Sequence, residues 1–232
     1  MKVVILLCLT LLSCSIMAAE YPATDRWKMT MGGFQLEDEI IGERPGAIVA
    51  TGSSSMRFWD HRIHKDLSPL TIISRGFGGS NMNDVLTFLD TLVLKHKPRA
   101  VMLYEGDNDV AQGVPVEVIL ETFGKAIDKI HVQDSNIRIY LLSVKPSISR
   151  TEMWPTMLEV NEGLETMAKA DKRITYVDVA TPMLNADGSI RDDLFVSDQL
   201  HMNQKGYDIW RNVVAPVLIE NEISFEPTPV AQ

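Results

Sequence analysis

Ala47-Ile48-Val49-Ala50-Thr51-Gly52-Ser53-Ser54-Ser55-Met56-Arg57-Phe58-Trp59 is the stretch that decides the fold. Its first five residues form a short apolar, β-branched run of the kind that fills a fully buried strand. Gly52 ends that run. From Met56 the period changes: Met56, Trp59, Ile63 and Leu67 recur at helical spacing. A buried strand that turns into a helix just past a glycine predicts the first half of a βαβ unit.

The same alternation continues outward. Leu70–Ser74, Ala100–Tyr104, Ile137–Val144 and Ile174–Val179 read as four further strands. Helices are predicted over Asn83–Lys97, with Val85, Phe88, Leu89, Leu92 and Val93 on one face, and over Val116–His131 and Trp154–Ala170. A last helix is predicted from about Asn203 to Glu220, bent at Pro216. Short buried strands alternating with helices predict an α/β fold, with a central, mainly parallel five-stranded sheet between two helical layers. Right-handed crossovers make such a sheet doubly wound. The expected organisation is one domain over 46–222, preceded by a leader segment with one helix, 20–45, and followed by a loose tail, 223–232.

Composition narrows the function classes. The chain has 232 residues, 45% hydrophobic and 23% charged, enough to bury a sizeable core. Asp and Glu exceed Lys and Arg, 31 to 22. The acidic balance repels phosphate backbones, so no nucleic-acid partner is expected. The only cysteines, Cys8 and Cys14, lie near the N-terminus, which excludes a disulfide framework or Cys-based zinc site in the folded body. His61 and His64 share a helix face, but no third ligand is near in sequence. Neither a metal nor a cofactor is expected.

The first 19 residues read as a secretory signal peptide. Lys2 precedes an apolar run, Val3–Leu12, and small residues follow at Ser13, Ser15, Ala18 and Ala19. The run is shorter than the ~20 residues needed to span a bilayer. Leu11-Leu12-Ser13-Cys14 also resembles a bacterial lipobox, which would make Cys14 a lipid-anchored residue. Both readings imply a secreted or periplasmic protein without a transmembrane span.

In doubly wound sheets, sites form outside the carboxyl ends of the strands. Gly52-Ser53-Ser54-Ser55 follows the first strand, Gly76-Phe77-Gly78-Gly79-Ser80 the second and Gly106-Asp107-Asn108-Asp109 the third. Asp198-Gln199-Leu200-His201 ends the connection after the fifth. Taken singly, each has an ordinary reading as a turn, cap or surface segment. Together they converge on one sheet edge.

These four blocks, in this order, resemble those of the SGNH hydrolases, also called GDSL-type esterases or lipases. The blocks span residues 52–203, and weaker similarity extends over about 34–222, including Lys145-Pro146-Ser147 and Asn203-Gln204-Lys205-Gly206-Tyr207. Many members carry Asp where this chain has Ser53. The resemblance implies the flavodoxin-like SGNH hydrolase fold and a set of roles. Ser54 matches the nucleophile, His201 the general base and Asp198 its orienting carboxylate. The oxyanion hole would comprise the N–H of Ser54, the N–H of Gly79 and the side-chain amide of Asn108.

The chemistry is consistent with those residue types. A serine hydroxyl needs a neutral imidazole to take its proton, and the imidazole needs a carboxylate to fix its tautomer. Asp198 and His201 are three residues apart, so one turn of chain can set them side by side. The implied activity is that of a secreted serine esterase favouring short acyl chains, because no segment reads as a large lid. Its partner would be a small-molecule, carbohydrate or lipid ester. Met153, Trp154 and Met183 fall on rim segments and are the candidate apolar substrate contacts. A carbohydrate O-deacetylase or a lysophospholipase-like acylhydrolase would use the same triad. A non-catalytic carbohydrate- or surface-binding protein on the same fold is the alternative from another class.

Overall fold

The computed structural model describes residues 21–227. The signal-peptide and Cys14 assignments lie outside the described residues. Five parallel strands form one sheet in the order β2-β1-β3-β4-β5: β1 Ile48–Gly52, β2 Ile72–Gly76, β3 Ala100–Tyr104, β4 Arg138–Leu142 and β5 Ile174–Val177. Every residue of β1 and β3 is buried, as expected for central strands covered on both faces.

Alternation along the strands sorts the core into two layers. Val49, Ile73, Val101, Leu103, Ile139 and Leu141 pack on one side against helices α3 (Met82–Thr87), α6 (Val116–Gln133) and α7 (Trp154–Ala170). Ile48, Ala50, Ile72, Met102, Tyr140 and Leu142 pack on the other against α2 (Ser54–Asp66) and α8 (Gln204–Glu222). Met56, Trp59, Ile63 and Leu67, the residues that set the first helical period, are all fully buried there. The α8 helix continues through Pro216.

One sequence expectation needs correction. The single helix expected over Asn83–Lys97 is broken into α3, a short α4 (Leu89–Leu92) and a 3-10 turn at Leu94–His96. Phe88 and Val93 leave helical geometry at the joints. The cause is the run Leu92-Val93-Leu94, buried throughout. Three successive residues cover about 200° of a helix's circumference, more than one straight helix can turn towards a sheet.

The leader segment holds one helix, α1 (Lys28–Ile41), and its described residues dock on the domain. Arg26 pairs with buried Asp84 at 2.6 Å, Tyr21 donates to Asp109 at 2.9 Å and Met31 is buried. Arg75, fully buried at the end of β2, takes its counter-ions from this helix, Glu37 and Asp38.

The chain runs from β1 outward to β2, then returns to place β3 on the opposite side of β1. The crevice at such a reversal opens at the carboxyl ends of β1 and β3. Ser54 follows the first of these strands and Asn108 the second, on the short helix α5 (Asp107–Ala111).

Candidate active site

The turn after β1 is built around Gly52, whose φ is +144°. A Cβ there would lie 2.0 Å from the Tyr104 carbonyl oxygen, so only glycine lets β1 close against β3 and still turn. Ser53 has extended backbone and its carbonyl receives the N–H groups of Met56 and Arg57. Ser54 is therefore the first residue of α2, with its N–H among those a helix leaves unpaired. That amide and the positive end of the helix dipole face the turn, a setting that favours negative charge.

His201 closes the arrangement from a segment 147 residues further along. Its Nε2 lies 2.9 Å from Ser54 Oγ, and its Nδ1 lies 2.6 Å from Asp198 Oδ2. The other Asp198 oxygen accepts from the backbone N–H groups of Leu200 and His201, each at 2.9 Å. Burial works to raise the Asp198 carboxyl, but these hydrogen bonds outweigh it and hold the pKa down at about 2. The Phe58 ring stands edge-on to the imidazole, with ring centres 4.9 Å apart.

The other oxyanion candidates lie on the segments that follow β2 and β3. Gly79 has a φ of +87°, which glycine adopts without strain. The Asn108 amide donates to the Ser80 carbonyl at 2.8 Å, tying the turn after β3 to the one after β2. Among the described residues, neither Ser54 N–H nor Gly79 N–H donates to another protein group. The Ser53 hydroxyl is buried without a partner, and Ser55 is buried as well. Of the three serines, Ser54 alone bonds to His201.

The candidate substrate contacts lie elsewhere. Met183 is fully buried in the layer under α8 and presents no surface to a ligand. Met153 and Trp154 pack on the core beneath α7, and Trp154 faces a small groove with Leu158, Asn161 and Tyr176. Position on a rim segment did not reveal the direction of these side chains. Other residues line the cavities at this end of the sheet; a Cβ on Gly78, in the first of them, would lie 3.6 Å from Ser54 Cβ, and His201 borders the second. A cleft of 370 Å³ is lined by Trp27, Thr30, Phe34, Glu37, Arg57, Asp60 and the Gly76–Gly78 turn. A shallower depression of 340 Å³ on the His201 side is lined by Phe58, Val196, Met202 and Tyr207. Trp27 packs edge-on against Phe77 and approaches Gly79. Sequence reading missed it because it belongs to the segment taken for a leader.

The five-stranded parallel sheet, its helical layers and a serine, histidine and aspartate aligned at its switch point define the class of the flavodoxin-like α/β hydrolases. The family model described as "GDSL-like Lipase/Acylhydrolase family" matches residues 41–209, and the chain belongs to that family. Solved structures of similar fold include a GDSL-like lipase from Bacteroides thetaiotaomicron VPI-5482. It shows 19% identity and a TM-score of 0.72, over 82% of this chain and 98% of that one. A lipase/acylhydrolase from Enterococcus faecalis is 19% identical, with a TM-score of 0.62 over 76% of this chain and 96% of that one. No curated protein matches the chain.

Proposed function

We propose that this protein is a secreted serine ester hydrolase that cleaves short-chain carboxylic esters through an acyl-Ser54 intermediate. The observation that carries the reading is the continuous hydrogen-bonded line from Ser54 through His201 to Asp198. His201 Nε2 takes the Ser54 proton as Oγ attacks the ester carbonyl. The N–H groups of Ser54 and Gly79 and the Asn108 amide receive the charge that develops on the carbonyl oxygen. His201 then returns its proton to the leaving alcohol, and a water molecule deprotonated by the same nitrogen releases the acid. Asp198, ionised at any pH above its low pKa, holds the imidazole in one tautomer and balances the imidazolium.

Short acyl chains fit an open site. Between β5 and α8 the described chain carries two 3-10 turns, Thr181–Met183 and Asp192–Leu194, and two isolated β-bridges, but no α-helix able to cap the cleft. Without a cap, each added methylene gains little of the ~0.8 kcal/mol that full burial would give. The hydrogen-bonding groups of Thr30, Glu37, Arg57 and Asp60, set beside the rings of Trp27 and Phe34, favour a second reading with the same chemistry, a carbohydrate O-deacetylase. Export rests on the sequence of residues 1–19, with a lipid anchor at Cys14 as the alternative route to the same compartment. Among the described residues, no helix is long and apolar enough to cross a membrane.

The test is a panel of p-nitrophenyl esters from acetate to palmitate, run beside acetylated polysaccharides and fluorophosphonate labelling. Hydrolysis of acetyl esters with a covalent adduct on Ser54 is the expected result. Absence of both adduct and turnover would remove the enzymatic reading. Cell fractionation of the full chain tests export.

A further inference from the structure

The Asn108 side chain is fixed from both ends. Its Oδ1 accepts from Arg150 Nη2 at 2.9 Å, and its Nδ2 donates to the Ser80 carbonyl at 2.8 Å. A guanidinium can only donate and a carbonyl can only accept, so both neighbours demand the same orientation of the amide. One Nδ2 hydrogen is used by Ser80, and the second is left over. Arg150 is itself anchored. Its Nη1 donates to the Asp107 carbonyl at 2.9 Å and lies 3.5 Å from the Asp107 carboxylate, and the side chain is 16% exposed. It sits in the irregular turn Ile148–Met153, which follows β4.

The segment from Lys145 into that turn also grips the opposite half of the site. Buried Lys145 donates to the Leu200 carbonyl at 2.9 Å, and Ser149 N–H donates to the Gln199 carbonyl at 3.0 Å. One segment after β4 thus touches the turn that carries Asn108 and the loop that carries His201.

We propose that Arg150 is a positioning residue for the oxyanion hole: it pins Asn108 Oδ1 so that the free Nδ2 hydrogen faces the carbonyl oxygen of the substrate. The inference rests on the reading of Asn108 as an oxyanion donor. A charged donor on Oδ1 does two things. It removes the rotation by which an asparagine amide would otherwise wander between solvent and site. It also draws electron density towards the oxygen, which strengthens the Nδ2 hydrogens as donors. Both effects act when charge develops on the substrate oxygen, so they act on kcat and leave KM largely alone.

The experiment is a double-mutant cycle on p-nitrophenyl acetate with Arg150→Met, Asn108→Ala and the pair, with Arg150→Lys as a milder variant. Far- and near-ultraviolet circular dichroism checks folding of each. Loss of a single oxyanion donor lowers kcat by about 10²–10³-fold, and Asn108→Ala is expected in that range. Arg150→Met is expected to lower kcat by about 10–10²-fold with KM changed less than about threefold, and Arg150→Lys to recover part of it. With Asn108→Ala already present, Arg150→Met is expected to cost less than about threefold more, because its target is gone. Equal losses from Arg150→Met with and without Asn108 would overturn the proposal, as would a rise in KM as large as the fall in kcat. If Arg150→Met does not fold, the same cycle run with Arg150→Lys decides between these outcomes. Full activity of Asn108→Ala would instead sink the assigned oxyanion hole, and an active Ser54→Ala the triad, so each failure is distinguishable.

Discussion

Ser54 Oγ and His201 Nε2 stand 2.9 Å apart across 147 residues of sequence. The serine is fixed by the turn that Gly52 allows, and the histidine by the Asp198 carboxylate, which binds both the ring and the backbone N–H of His201. The histidine also meets the helix that Ser54 begins, through the Phe58 ring, and Tyr207 just beyond it donates to the Ser55 carbonyl at 2.9 Å. Their alignment follows from the parallel sheet, which sets the ends of its strands along one edge.

Replacing Ser54 by Ala is expected to lower kcat by about 10⁴–10⁶-fold, as loss of a triad nucleophile does elsewhere. Ser53→Ala removes a buried hydroxyl that has no partner and is expected to retain most activity. Ser55→Ala should also keep most activity if the helix start is undisturbed. Peptide mapping after fluorophosphonate labelling checks the assignment, and an adduct on Ser53 or Ser55 would contradict it.

Asp198→Asn keeps the size of the side chain but removes its charge and allows the wrong imidazole tautomer. A fall in kcat of about 10³–10⁴-fold is expected, with KM little changed. Steady-state kinetics on p-nitrophenyl acetate measure it. An asparagine variant within tenfold of the parent would mean that the carboxylate does not orient the base.

Lys145 gives the protein a pH signature in stability. Burial brings its pKa down to about 8, reinforced by Arg150 and only partly offset by Asp107 and Asp198. The ordinary lysine value is about 10.4. Between those pH values the unfolded chain holds a proton that the folded chain releases, so this group's contribution to stability rises with pH across the window. The melting temperature of the parent minus that of Lys145→Met should therefore increase from pH 8 to pH 10. A difference that stays constant over that range would show that the folded ammonium is not destabilised.

The docking of α1 can be weighed through Arg75. This guanidinium is fully buried and its charge is met by Asp38 and Glu37. Asp38→Ala leaves Arg75 with Glu37 alone and also takes the partner from Lys95, and removing one partner of a buried charge costs about 3 kcal/mol. For a chain of this size the expected fall in melting temperature is about 6–12 °C. A shift below about 2 °C would show that Glu37 alone suffices. Trp27→Ala, at the other end of the same segment, should alter KM for bulky alcohols more than for p-nitrophenyl acetate.

The local sequence determined most of the sheet. Runs such as Ala100–Tyr104 and Ile174–Val177 are short, apolar and bounded by breakers, and they form strands because their side chains have two covered faces to fill. Gly52, Gly79 and the order of the four blocks located Ser54, Asn108 and His201, since the chemistry of each block is carried by neighbours in the chain. What only the tertiary structure decided are relations between distant residues. Asn83–Lys97 has a helical period, yet the burial of Leu92-Val93-Leu94 breaks it. Residues 20–45 read as a leader with one helix, and where that helix docks is set by Arg75, a charge that cannot stay buried unpaired, which pairs with Glu37 and Asp38 while Trp27 lines the cleft. Met183 and Trp154 lie at the right end of the sheet but point into the core or a separate groove. Arg150 acquires its partner Asn108 only when the ends of β3 and β4 come together. Periodicity and turn chemistry act over a few residues and can be read in order along the chain. Side-chain direction and charge pairing depend on which surfaces meet, and that is settled only when the layers pack.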